Sequence, residues 1–236
     1  ITGKTLTNLN KYPETVDLFL KLMSNENNDK REAEELKDTF FSEEFFNNII
    51  ATLKVKKNII LQGPPGTGKT FISKKIANKI AGKKENIFSI QFHQSYSYEE
   101  FVIGYKPNSE GNFAIQKGSL IQICEKAQQN ESENFVMFID EINRANISKV
   151  FGELLSLIEN DKRGPENAVK ILYSENDMNF YIPSNLYFIC AMNTADRSLK
   201  MVDYALRRRF SFFEFKPEFN KPEFKNFLKN KNVNAK

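Results

Sequence analysis

The segment that most constrains this chain is Gly63-Pro64-Pro65-Gly66-Thr67-Gly68-Lys69-Thr70. It follows a short apolar run, Asn58-Ile59-Ile60-Leu61-Gln62, that reads as a buried strand. Phe71 then opens a stretch with apolar residues at 72, 76 and 80, the spacing of one helix face. Strand, glycine-rich turn, Gly-Lys-Thr and helix together form the context in which a phosphate-binding loop is credible. Glycines let successive backbone N–H groups turn inward as an anion nest, and the helix N-terminus adds partial positive charge. In such a loop Lys69 reaches the β- and γ-phosphates, the Thr70 hydroxyl ligates Mg²⁺, and Pro64 and Pro65 stiffen the turn by fixing φ. Residues 63–71 are therefore the expected nucleotide contacts.

A second segment completes that chemistry. Phe135-Val136-Met137-Phe138-Ile139 is a wholly apolar strand that ends in Asp140 and Glu141. In an open α/β sheet, ligands sit beyond the carboxyl ends of the strands. Asp140 is thus expected in the Mg²⁺ shell beside Thr70, and Glu141 is expected to orient or deprotonate an attacking water. Leu186 to Met192 is another apolar strand, with Asn193 at its end. Placed between the metal strand and the phosphate loop, Asn193 would sense the γ-phosphate or fix the water. Downstream, Arg207-Arg208-Arg209 precede a strand expected over 210–215. They read as a solvated patch, a nucleic-acid contact, or an arginine finger for a neighbouring subunit's nucleotide, with Arg208 and Arg209 the favoured candidates for the finger.

The rest of the chain supplies the frame. Residues 1–41 are polar, with one helical patch at 16–23, and Ser42-Glu43-Glu44 is a capped helix start whose apolar face carries Phe45, Phe46, Ile49, Ile50 and Leu53. A strand is expected over 86–92, followed by His93, the only histidine, as a hydrogen-bonded structural residue. Hairpins are expected over 106–117 and around 174–177, and helices over 119–128 and 147–158. The chain has 236 residues, 40% of them apolar, enough for one large domain. The net charge of +4 is too small to argue for nucleic acid by itself. Cys124 and Cys190 each lie in apolar segments and read as buried, reduced thiols of a cytoplasmic protein. No run approaches a membrane span, and no signal-peptide pattern opens the chain, which lacks an initiator Met and reads as a fragment.

Taken as a set, these segments resemble the AAA+ ring motors. The two inserted hairpins resemble the branch holding MoxR-type and dynein-type modules. Gln91 to Tyr98, Asp140 to Asn146, Met192 to Ser198 and Asp203 to Phe210 resemble the McrB-type GTPases, motors of modification-dependent restriction systems. The Met-Asn-x-x-Asp-Arg element, here Met192 to Arg197, is that family's signature. The resemblance covers about residues 45 to 230. It implies an α/β AAA+ fold with a parallel five-stranded sheet, two β-hairpin insertions, and a helical lid from 217 that is largely missing. The expected division is a lead-in over 1–41, the AAA+ core over 42–216 and the start of the lid over 217–236. The resemblance further implies GTP as substrate with Mg²⁺, assembly into hexameric rings, and an McrC-like nuclease partner. DNA would be engaged through a separate N-terminal domain, absent here, and the ring pore, with no membrane involvement. Asp196 and Arg197 would support their loop or a partner contact. An ATP-driven MoxR-like remodeller and a GTP-gated assembly scaffold with little catalysis are the alternatives.

Overall fold

The computed structural model describes residues 42–107, 111–172, 179–195 and 204–217. The chain divides into two compact units, Ile1–Phe46 with Glu218–Lys236, and Asn47–Pro217. The second unit holds the sheets and the helices that flank them. The helical patch at 16–23, the signature residues Asp196 and Arg197, and the expected lid lie outside the described residues.

Helix α1 (Glu43–Lys56) starts where the Phe45 amide donates to Ser42 Oγ at 3.2 Å, and it buries Ile49, Ile50 and Leu53. It delivers the chain to β1 (Asn58–Gly63), which runs through the phosphate loop into α2 (Lys69–Ala81). Next come β2 (Ile87–Gln91), the short α3 (Tyr98–Phe101), the hairpin β3 (Ile103–Pro107) and β4 (Phe113–Lys117), α4 (Ser119–Gln129) and β5 (Phe135–Asp140). Then follow α5 (Ile147–Phe151), a small hairpin β6 (Val169–Lys170) and β7 (Asn179–Phe180), β8 (Leu186–Asn193), α6 (Tyr204–Arg209) and β9 (Ser211–Glu214).

The main sheet has five parallel strands in the order β2-β5-β8-β1-β9. Strands covered on both faces need apolar side chains on both, so they read as continuous apolar runs rather than alternating ones. That is the sequence of β5 and β8, whose residues are buried up to the last one in each. The edge strand β2 is only partly covered and alternates. Register does the work of assembly. Gly63 lies opposite Asn193, Ile139 opposite Cys190, and Gln91 opposite Asp140. The ends of β1, β8 and β5 therefore come together at one edge, with β8 between the other two, as expected for Asn193. Both inserted hairpins are present, each antiparallel and separate from the main sheet.

The abundance of phenylalanine has a structural use. Phe92, Phe101, Phe151 and Phe188 form a chain of ring contacts through the core, at centroid distances of 5.6, 4.7 and 6.3 Å. Offset and edge-on pairs of this kind add to the gain from burial alone.

Three expectations need correction. The helix expected over 147–158 is α-helical only to Phe151 and continues as a 3₁₀ turn over Gly152–Leu155. Gly152 has φ 53° and ψ −134°, a backbone state that stops an α-helix, and a Cβ there would meet the Tyr98 ring at 2.9 Å. The apolar positions are buried all the same, so their periodicity reported burial rather than helix length. The first hairpin begins at Ile103, ahead of the expected 106, because Ile103 pairs with Lys117. His93 is exposed and its imidazole has no hydrogen-bond partner among the described residues; its contact is edge-on to Tyr96, centroids 5.4 Å apart.

Candidate nucleotide site

The phosphate loop turns at Gly66 and Gly68, with φ of 78° and 83°, and Gly68 is the N-cap of α2. These left-handed values bend the backbone back over the helix N-terminus at little cost only for glycine. The 13-residue helix α2 thus aims its positive end at the turn. An open cleft of about 390 Å³ lies there. It is lined by Pro65, Gly66 and Gly68 to Phe71 of the loop, by Asp140 and Glu141 of the β5 end, and by Met192 and Asn193 of the β8 end. The residues expected to meet from three distant segments do meet. Gly63 and Pro64 contribute their carbonyls to the same loop, and Thr67 Oγ1 donates to Pro64 O at 2.9 Å.

Lys69 is 8% exposed and folds back on its own loop. Its Nζ donates to Gly63 O at 2.8 Å and Pro64 O at 2.6 Å. Burial holds the ammonium below the usual lysine range, while the Glu141 and Asp140 carboxylates oppose that shift. The ammonium also donates to Thr67 Oγ1 at 3.4 Å, and a cation held by neutral oxygens alone is ready to exchange them for phosphate oxygens, since bonds between two charged groups are the stronger ones.

Glu141 stands in the left-handed region, φ 53° and ψ 44°, unusual for a residue with a Cβ. Local bonds hold it there. Its amide donates to Asp140 Oδ1 at 3.0 Å, and its carbonyl accepts from the Arg144 amide at 2.9 Å. Arg144 Nε also lies 3.2 Å from Glu141 Oε2, held by charge rather than by an aligned hydrogen bond. Asn143 ties this corner to the sheet, its Nδ2 donating to Asn193 O at 3.0 Å. Asn193 Oδ1 in turn accepts from the Ala195 amide at 3.1 Å, which fixes the plane of its side chain at the cleft.

The donor set suits a hard divalent cation. Thr70 and Asp140 line the same cleft and offer one hydroxyl and one carboxylate. No cluster of three or more His, Cys, Asp or Glu occurs among the described residues. Mg²⁺ is commonly held in this way, by one or two protein oxygens with substrate phosphates and water completing the shell.

The arginine run lies elsewhere. Arg207 and Arg208 are exposed. Arg209 is paired with Glu159, Nε to Oε1 3.0 Å, and its carbonyl accepts from Asn58 Nδ2 at 3.0 Å. Asn58 is the first residue of β1 and Gly63 the last, so the run sits at the opposite end of that strand from the phosphate loop.

The AAA domain family, dynein-related subfamily, matches residues 58–210. The chain belongs to that family. This AAA domain is 52% identical over 199 residues to the Type IV methyl-directed restriction enzyme EcoKMcrB subunit of Escherichia coli K12, covering 83% of the chain and 43% of the relative. It is 29% identical over 195 residues to the Type II restriction enzyme BsuMI component YdiS of Bacillus subtilis, covering 67% and 57%. The chain thus spans less than two thirds of either relative. A solved structure from Cytophaga hutchinsonii superposes with a TM-score of 0.52 at 18% identity, over 94% of this chain and 61% of the other, a likeness of fold. No helix among the described residues is long and apolar enough to cross a membrane. Cys124 and Cys190 are free and buried, and burial pushes both thiols well above their usual range.

Three residues of consequence carry no motif: Asn58, Glu159 and Arg163 act through contacts that sequence spacing does not announce. Asn143 and Arg144 lie in the Asp140 to Asn146 segment that carries the resemblance, but their contacts to Asn193 and Glu141 were not read from it.

Proposed function

We propose that this AAA domain is a Mg²⁺-dependent GTP-hydrolysing motor of the McrB type. It would drive DNA translocation for a modification-dependent restriction complex. The observation that carries the reading is the convergence of Lys69, Thr70, Asp140, Glu141 and Asn193 on one cleft. The likeness to the E. coli McrB subunit supports the choice of GTP and of restriction as the setting.

In this mechanism the loop amides of 63–70 and Lys69 hold the triphosphate, Lys69 leaving the Gly63 and Pro64 carbonyls to do so. Phe71, at the mouth of the cleft, borders the rest of the nucleotide. Thr70 and Asp140 would hold Mg²⁺, which neutralises charge on the β- and γ-phosphates. Glu141 accepts the proton of the attacking water, and Asn193 orients that water against the γ-phosphate. The left-handed turn at Glu141 sets the residue at the cleft directly after Asp140, with Arg144 beside its carboxylate. One arginine of the 207–209 run completes the site of a neighbouring copy in a ring, hexameric by resemblance. Asp196 and Arg197 support their loop or the contact to an McrC-like nuclease, and DNA reaches the complex through a separate domain and the ring pore.

The test is affinity and steady-state turnover with GTP and with ATP, measured separately with Mg²⁺. Tighter binding and faster hydrolysis of GTP are expected. Preference for ATP would move the chain to the MoxR-like remodellers. Nucleotide-dependent assembly with no phosphate release, nuclease partner included, would make it a scaffold.

A further inference from the structure

We infer that Lys75 reads the purine base and favours guanine over adenine. This rests on the proposal that the cleft holds a purine triphosphate, and it supplies a physical reason for GTP that the phosphate loop does not. The triphosphate end of the cleft is polar, made of Lys69, Thr70, Asp140, Glu141 and Asn193. Phe71 is the one aromatic side chain among the cleft's lining residues. Its ring is 46% exposed, whereas the other large apolar side chains of α2, Ile72, Ile76 and Ile80, are buried. An uncovered ring beside a phosphate site is a platform on which a base stacks, and such stacking tolerates every base because each has a π-face. Phe71 therefore gives affinity and no choice.

Choice needs a polar group at the edge of the base. Lys75 lies four residues beyond Phe71, and that spacing puts both on the outward stripe of α2. Its Nζ sits over the Phe71 ring, 4.8 Å from the centroid, and it forms no ion pair among the described residues. Lys74 beside it faces a separate groove, shared with Asn78 and Lys84. A cation over an exposed ring is held weakly, and the lysine stem is flexible. A purine laid on Phe71 takes the ring face, and the ammonium moves to the edge of the base. There its three donors meet unequal partners. Guanine presents two acceptors on that edge, O6 and N7, whereas adenine presents N7 beside the N6 amino donor. Lysine has no acceptor, so it satisfies both guanine atoms and is opposed by the adenine amino group. A well-formed pair of this kind discriminates against the wrong base by ~5–150-fold.

The experiment measures the affinity of the full chain for GTP, ATP, ITP and 7-deaza-GTP, each with Mg²⁺. The parent should bind GTP and ITP alike, because inosine keeps O6 and N7 and lacks only the 2-amino group. It should bind 7-deaza-GTP more weakly and ATP most weakly. Lys75→Met, which keeps the stem against the ring, should shrink the GTP-to-ATP affinity ratio by ~5–150-fold. That ratio is the decisive readout, because losing one positive charge near a triphosphate weakens both nucleotides together and leaves it unmoved. Lys75→Arg should keep the ratio, since a guanidinium also pairs with O6 and N7. Lys75→Gln should tilt it toward ATP, because a primary amide matches N6 and N7 of adenine. A GTP preference that survives in Lys75→Met overturns the inference and leaves the reading of a GTP-driven motor standing. So does ITP binding as weak as that of ATP, which would assign the choice to the 2-amino group. A parent that does not prefer GTP overturns both.

Discussion

Replacing Arg163 by methionine should destabilise the domain by about 1–3 kcal/mol. The guanidinium is buried without a carboxylate, and its charge faces oxygen dipoles alone. It donates to Ile158 O, Pro183 O, Leu186 O and Asn58 Oδ1, and it lies over the Phe188 ring, 5.4 Å from the centroid. Methionine keeps the stem against Phe188 and removes only the donors. Ile158 O still receives Asn58 Nδ2 and Pro183 O still receives the Leu186 amide, so two acceptors, Leu186 O and Asn58 Oδ1, are orphaned. At ~1–3 kcal/mol for each unsatisfied buried group, the gross cost is roughly 2–6 kcal/mol. Burying the cation has a cost of its own, visible in a pKa pushed down to about 10 from 12.5 by desolvation. Relief of that cost, roughly 3 kcal/mol at ~1.4 kcal/mol per pKa unit, offsets part of the loss. For a domain of this size ~1 kcal/mol corresponds to ~2–4 °C in midpoint, so a fall of about 2–12 °C is expected. Urea unfolding followed by circular dichroism, alongside a thermal scan, measures both. Arg163→Lys should not rescue, because three donors on one nitrogen cannot satisfy oxygens arranged around a planar fork. A methionine variant as stable as the parent, or more so, would refute the assignment of Arg163 as the keystone of that corner.

Three other substitutions or probes are direct. Glu141→Gln should retain GTP affinity and lose hydrolysis by ~10²–10⁴-fold, the usual worth of a positioned general base; normal turnover under full assembly would remove Glu141 from that role. Gly152→Ala should cost about 1–3 kcal/mol in unfolding free energy, since φ 53° with ψ −134° strains any residue with a Cβ and the new methyl meets the Tyr98 ring. Cys124 and Cys190, both fully buried with raised pKa values, should resist a thiol-specific disulfide reagent at pH 8 and react only after denaturation; rapid labelling of the native chain would contradict their placement.

The parts of the site that could be read from the chain are those whose chemistry is written in consecutive residues. The phosphate loop needs glycines and Lys-Thr in one turn, and the acids need a strand to end on. Both are local facts, and the sheet order then brings Asp140, Glu141 and Asn193 to the loop. The helix over 147–158 misled because burial and helical periodicity coincide there, while the Gly152 backbone state does not alter the apolar pattern. Asn58 and Arg163 were illegible for another reason. They are 105 positions apart, and an asparagine opening a strand or an arginine in a turn ordinarily faces water. Only the register of β1 against β8, which places both strand starts at one corner, makes them partners. The pairing of Glu159 with Arg209 depends on that same corner.

The position of β8 carries a mechanical consequence. It is eight residues long, buried through its first seven, and laddered on both sides, to β5 and to β1. Such a beam does not flex at one tip, because dense interiors pass displacement along rather than absorb it. A tug on Asn193 when a phosphate departs would be felt at Leu186, whose carbonyl Arg163 clasps at 2.6 Å, and so at the mooring of the arginine helix. The candidate nucleotide cleft and the corner where Asn58 holds the end of α6 are two ends of one rod.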